Sequence, residues 1–118
     1  MKIEKVVKIA EAIKSIENEK LDFKISYRLG RISDKCESII KQYQKQEMAM
    51  REEYGKKHEQ ALEEDKPKIQ SEFNDKFVEL LNIEEEIEIP KFQLKDFENK
   101  NLPLKFFSAF NEYIDDAN

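Results

Sequence analysis

One histidine, one cysteine and a surplus of carboxylates are the side chains here that chemistry would have to use. His58 sits in the polar run Lys56-Lys57-His58-Glu59, where a solvated ring is expected. Cys36 falls on an apolar helical seam and is read as a buried structural thiol, because a reactive thiolate needs exposure and positive neighbours. One His and one Cys, 22 residues apart, do not make a structural zinc site. No Ser-His-Asp set can be completed around a single His on a polar stretch. With two glycines in 118 residues, neither GxxxxGK nor GxGxxG is present. Glu84, Glu85, Glu86 and Glu88 lack the alternating Asp/Asn ligands and central Gly of a calcium loop, so they are read as a solvated acidic edge. Carboxylate pairs abound, and that abundance singles out none as an acid or base. The chain is therefore read as non-enzymatic, with no catalytic, cofactor-binding or metal-binding residue.

Charge is the second feature. Lys24, Arg28, Arg31 and Lys35 step by four, three and four, forming a basic stripe on one helix face. Phe23 and Tyr27 are the only aromatics near it, too few to stack a run of bases, and Asp34 and Glu37 dilute it. Residues 1–60 carry 14 Lys and Arg against 11 Asp and Glu, a net of +3; residues 61–118 carry 7 against 15, a net of −8. The acidic total argues against nonspecific nucleic-acid binding.

These side chains are positioned by elements whose periods can be read directly. Ile3, Val6, Val7, Ala10, Ile13 and Ile16 mark one face of a helix over about 3–17, ending near Asn18 in the left-handed conformation. Asp22 is a candidate cap for a second helix over about 22–54. Its seam of Ile25, Leu29, Ile32, Cys36, Ile39, Tyr43, Gln46 and Met50 follows a heptad of the coiled-coil type. Gln46 and Tyr43 make a hairpin a better fit than a regular two-stranded dimer. Ser26, Gly30 and Ser33 form a stripe of small residues that would admit a closely crossing helix. Gly55 is placed to stop the second helix, and the polar stretch 55–66 is either loop or frayed helix. Pro67 suits the first turn of a third helix over about 67–82, with Ile69, Phe73, Phe77, Leu80 and Leu81 inward.

Near Ile83 the period changes. Ile87, Ile89, Phe92 and Leu94 alternate around Pro90, which predicts a β segment over about 86–95, as a small hairpin or an edge strand. Pro103 opens a last helix over about 102–114, with Leu104, Phe107, Phe110 and Ile114 on one side and Phe106 and Tyr113 on another. Asp115-Asp116-Ala117-Asn118 reads as a polar, frayed end. The expected fold is mostly α (α+β), a single domain over 1–118: an N-terminal helix, a long antiparallel helical hairpin, and a small β element with a short C-terminal helix.

A lone strand is not stable by itself. The β segment must pack on the helices or pair its edge with another chain. Ile87, Ile89, Phe92, Leu94 and Phe106 are therefore the candidate partner-binding residues. The partner is expected to be a protein, with self-association open. A lone cysteine allows no intrachain disulfide, and the apolar stretches fit neither a secretory segment nor a membrane span. The expected place is the bacterial cytoplasm, or a virion, for the following reason.

The segments "KLDFKISYRLGRI", "EEYG", "FNDKFVELLNIEEEIEIPKFQLKDF" and "NLPLKFFSAFNEYI" stand in an order that resembles a family of small uncharacterised proteins encoded by phages and prophages of Gram-positive bacteria. The resemblance covers nearly the whole chain, and Glu79-Leu80-Leu81 to Leu94 is its distinctive part. It implies a role in phage biology, either with virion components or against the host, and brings no catalytic residue. The expected function is protein–protein contact in virion assembly or structure. The alternative is anti-defence: inhibition of a host enzyme by binding it, by imitating nucleic acid, or by sequestering a nucleotide signal.

Overall fold

The structure, a computed structural model, describes residues 1–115. Asp116, Ala117 and Asn118 of the expected polar end lie outside the described residues. The apolar face of the first segment folds into helix α1, Ile3–Lys14, which buries Ile3, Val6, Ile9, Ala10, Ala12 and Ile13. Asn18 does not take the left-handed conformation; Asn99 is the one non-glycine residue described with a positive φ. The chain leaves α1 instead through i to i+3 bonds, with the Ile16 and Glu17 N–H groups donating to the Ile13 and Lys14 carbonyls.

Helix α2, Phe23–Gln60, runs 38 residues, about 57 Å at 1.5 Å per residue. It accounts for most of the 64 Å long axis of the molecule. Asp22 stands at the N-cap position but makes no side-chain cap bond. Gly55 does not end the helix. A Cβ there would meet nothing within 4 Å, and the i, i+4 pairs Glu52–Lys56 and Glu53–Lys57 hold the helix across it. The stretch left open between loop and helix is thus helical to Gln60, followed by a turn of 3₁₀ helix at Glu63–Asp65. Helix α3, Lys66–Leu81, carries Pro67 in its first turn as expected and returns along the distal half of α2.

The small-residue stripe does not mark a close crossing. A Cβ on Gly30 would also meet nothing within 4 Å; Ser26, Gly30 and Ser33 line an open cleft beside Ile13, Ile16 and Glu17.

After α3 the chain runs from Ile83 to Lys91 without forming a helix or joining a ladder. Strand β1, Phe92–Gln93, then pairs in parallel with β2, Ile114–Asp115, in the register Phe92 with Ile114 and Gln93 with Asp115. The β element is thus not a hairpin, and within the expected 86–95 only Phe92 and Gln93 join a ladder. Gln93 and Asp96 form a capping box that turns the chain into 3₁₀ helix at Leu94–Phe97. Helix α4, Leu104–Phe110, is shorter than expected, because Asn111–Tyr113 tightens to 3₁₀ and Ile114 leaves to make the strand. The face that α4 buries carries Phe106 and Phe110, leaving Leu104 80 % exposed.

Among the described residues, the fifteen buried apolar ones lie in α1 and its exit, in α2 up to Cys36, and between Phe92 and Phe110. Phe92, Phe97, Phe106 and Phe110 form an aromatic cluster with centroid separations of 4.7 to 6.2 Å. No described residue from 37 to 91 is fully buried. No helix among the described residues is long and apolar enough to cross a membrane.

Candidate partner-binding surface

The extended segment is held at its start and along one side. The Glu85 N–H donates to the Met1 carbonyl at 2.7 Å, and the Met1 amino group donates back to the Glu85 carbonyl and pairs with Glu84 at 3.1 Å. Beyond that point exposure alternates. Ile87 and Ile89 are half-buried against the core, while Glu86, Glu88 and Pro90 are exposed. This is the period of two that the sequence carries, and it fixes which side of the segment meets the protein.

Of the candidate residues, Ile87 and Ile89 come together here. Phe92 and Phe106 do not join them: both are fully buried in the aromatic cluster, so they build the core and present nothing to a partner. The alternation of Phe92 with Ile87 and Ile89 is interrupted by Pro90, and the high aromatic content of this third of the chain is spent on the fold. Leu94 is 45 % exposed in the 3₁₀ turn, where the strand period has already ended.

The structure adds a wall that sequence spacing did not connect to this segment. Ile87, Ile89 and Pro90 face Tyr27, Arg28, Arg31, Ile32 and Lys35 of α2 across an open groove of about 940 Å³, with Glu86 and Glu88 on its rim. The basic stripe was visible from its helical spacing. Its juxtaposition with residues more than fifty positions away was not. Arg31 stacks over the Tyr27 ring at 6.0 Å, and Tyr27 itself stacks on Phe23, 81 % exposed, at 6.5 Å. None of Lys24, Arg28, Arg31 and Lys35 forms an ion pair with a described carboxylate. Arg51, Lys56 and Lys57, further along the same helix, are each paired with a glutamate four residues earlier.

The reactive side chains are placed as follows. Cys36 is fully buried, and burial, with a smaller contribution from the Glu37 charge, pushes its thiol up to about 11. It is protonated at neutral pH and has no access to a substrate. His58 is half-buried rather than freely solvated: it lines a shallow cleft with Arg51, Tyr54, Ile69 and Phe73. Among the described residues no group of three or more His, Cys, Asp or Glu is arranged to hold a metal ion. Beside Met1 and Glu84, Lys5 forms an ion pair with Glu112 and lies 5.4 Å over the Tyr113 ring. That hydrogen-bonded pairing raises the Lys5 pKa and lowers that of Glu112. Lys91 donates to the Glu112 carbonyl at 2.5 Å, which ties the extended segment to the C-terminal turn.

Compared with known protein families, curated proteins and solved structures, the chain matches none.

Proposed function

We propose that the chain is a non-enzymatic protein that works by protein–protein contact, with the extended segment Ile83–Lys91 and the groove beside it as the contact surface. The observation that carries this reading is that segment itself: a stretch of strand-like alternation outside any ladder, anchored by Ile87 and Ile89, whose backbone groups from Glu86 to Pro90 meet no described partner in the chain. Such an edge is a template for another polypeptide. The resemblance to phage and prophage proteins supports a place for this contact in phage biology, in the infected cell or in the virion, with self-association as one form of it.

A host-directed inhibitor is the second reading, and the net charge of −8 on residues 61–118 favours it, since an acidic surface suits a basic site on an enzyme. Affinity purification of the tagged chain from phage-infected cells tests both. Stoichiometric virion proteins are expected for the first reading and a host enzyme for the second. Metal- or nucleotide-dependent turnover by the purified protein would overturn both.

A further inference from the structure

We infer that the groove takes up an extended polypeptide segment as an added strand along Glu86–Pro90, one whose carboxylates, on a single face, meet Arg28, Arg31 and Lys35. This rests on the contact role proposed above and names the chemistry of the partner.

Three observations converge on it. The segment Glu86–Ile89 belongs to no helix or ladder, its exposure alternates with a strand's period of two, its backbone meets no described hydrogen-bond partner, and one residue beyond Pro90 it enters β1, which already carries β2 on one edge. An incoming strand would continue that small sheet, with the donor row ending at Pro90, which has no N–H. The groove, about 940 Å³, has the apolar side chains Ile32, Ile87 and Ile89 in its lining. Its helical wall holds Arg28, Arg31 and Lys35, none of which forms an ion pair with a described carboxylate, whereas Arg51, Lys56 and Lys57 farther along α2 are each paired with a glutamate on the helix.

Spacing decides the chemistry of the occupant. Arg28 to Lys35 spans about 10 Å along the helix axis. Successive side chains on one face of a strand are about 7 Å apart, so acidic residues at i and i+2 fall within reach of this stripe. A second copy of the chain is disfavoured, because antiparallel pairing of two such segments would set Glu86 and Glu88 against their own kind. A nucleic acid is disfavoured for a related reason: its unbroken charge would run along the same two glutamates and leave the strand backbone unused. A polypeptide strand can confine its carboxylates to the face turned toward α2.

The test is selection of a random ten-residue peptide library on the immobilised full chain. The expected winners alternate apolar residues with Asp or Glu at i and i+2. N-methylation of a winner's backbone along one edge should weaken it at least tenfold, and along the other edge should leave it unchanged. The double variant Arg28→Glu/Arg31→Glu, at two exposed positions, should lose at least tenfold in affinity with an unchanged far-UV circular dichroism spectrum. The inference is overturned if nothing is enriched, if the winners are basic or follow a helical period, if N-methylation of either edge has no effect, or if a ten-nucleotide oligo-dT displaces the peptide. Overturned in any of these ways while virion or host proteins still co-purify, it falls alone. If no protein co-purifies either, the contact role falls with it.

Discussion

Cys36 and Tyr43 stand two turns apart on the same helix, and the molecule changes character between them. On the Cys36 side α1 packs between α2 and α4, the aromatic cluster adjoins it, and the seam residues of α2 are fully buried. On the Tyr43 side only α3 is present, and no residue of either helix is fully buried. There the seam is sheltered by polar and aromatic neighbours. Tyr54 meets Phe73 edge-on at 5.8 Å, and the Arg51 guanidinium lies 5.7 and 5.6 Å over Phe73 and Phe77 while paired to Glu47. The base is held by excluded water, the arm by surface ion pairs, cation–π contacts and helix propensity. Contacts of the second kind are each worth a fraction of what full burial contributes. The lesson is that a continuous heptad seam does not imply continuous stability; the number of elements packed around it decides.

The largest effect should come from truncating the cluster. Phe110→Ala is expected to cost about 3–5 kcal/mol in urea unfolding, the usual range for a buried Phe. Phe77→Ala in the arm should cost less than half of that. Equal costs would break the comparison, since the arm would then be packed as well as the base. Amide hydrogen exchange gives the same contrast without mutation: protection at Gln44–Asp75 should report a lower opening free energy than protection in α1.

Cys36 sharpens the boundary. Its folded pKa lies above the unfolded value of 9.0, so its contribution is fully present below pH 9 and is lost as pH rises through about 11. Stability should fall by about 2 kcal/mol between pH 9 and 11, and the fall should be smaller in Cys36→Ala, itself less stable at neutral pH. Native protein should also resist alkylation by iodoacetamide until it unfolds.

The division between base and arm was partly legible beforehand. Each helix announced itself through its apolar spacing, and Pro67 sat where a first turn tolerates it. The stop at Gly55 was misjudged because a glycine's local preference was weighed without the i, i+4 pairs around it. The fate of Phe92 and Phe106 was illegible for another reason. The alternation at Phe92 and the helical spacing at Phe106 report that a residue has a buried side, and cannot say whether the cover is the same chain or another. The facing of the basic stripe and Ile87–Pro90 is a long-range contact, which no local period encodes.

Glycine tests both regions at once. Gly30→Ala at the base and Gly55→Ala in the arm each add a methyl group into open space within a helix. Each should stabilise the protein by up to about 1 kcal/mol in thermal or urea unfolding. The smallest effect is expected at the rim of the base. The lowered Glu112 pKa means that its contribution is present above about pH 4.5 and is lost as pH falls through the folded value. Glu112→Gln should flatten that part of the stability profile and leave the arm's hydrogen exchange unaltered.

Because α2 passes from base to arm without a break, it also fixes the azimuth of one relative to the other. Each residue of an α-helix turns the chain by about 100° and advances it 1.5 Å. One residue inserted between Cys36 and Tyr43 would turn the arm about a quarter turn against the base, to which α3 is also tied through Leu81 and the Met1–Glu85 bonds, so the two ends could not both stay packed. Seven residues in α2, matched by seven in α3, would lengthen the rod by about 10 Å and nearly restore the original heading. The groove beside Ile87 and the tip at Glu63–Asp65 are thus indexed to each other like marks on a key, and the bitting is written in the matched residue counts of two helices.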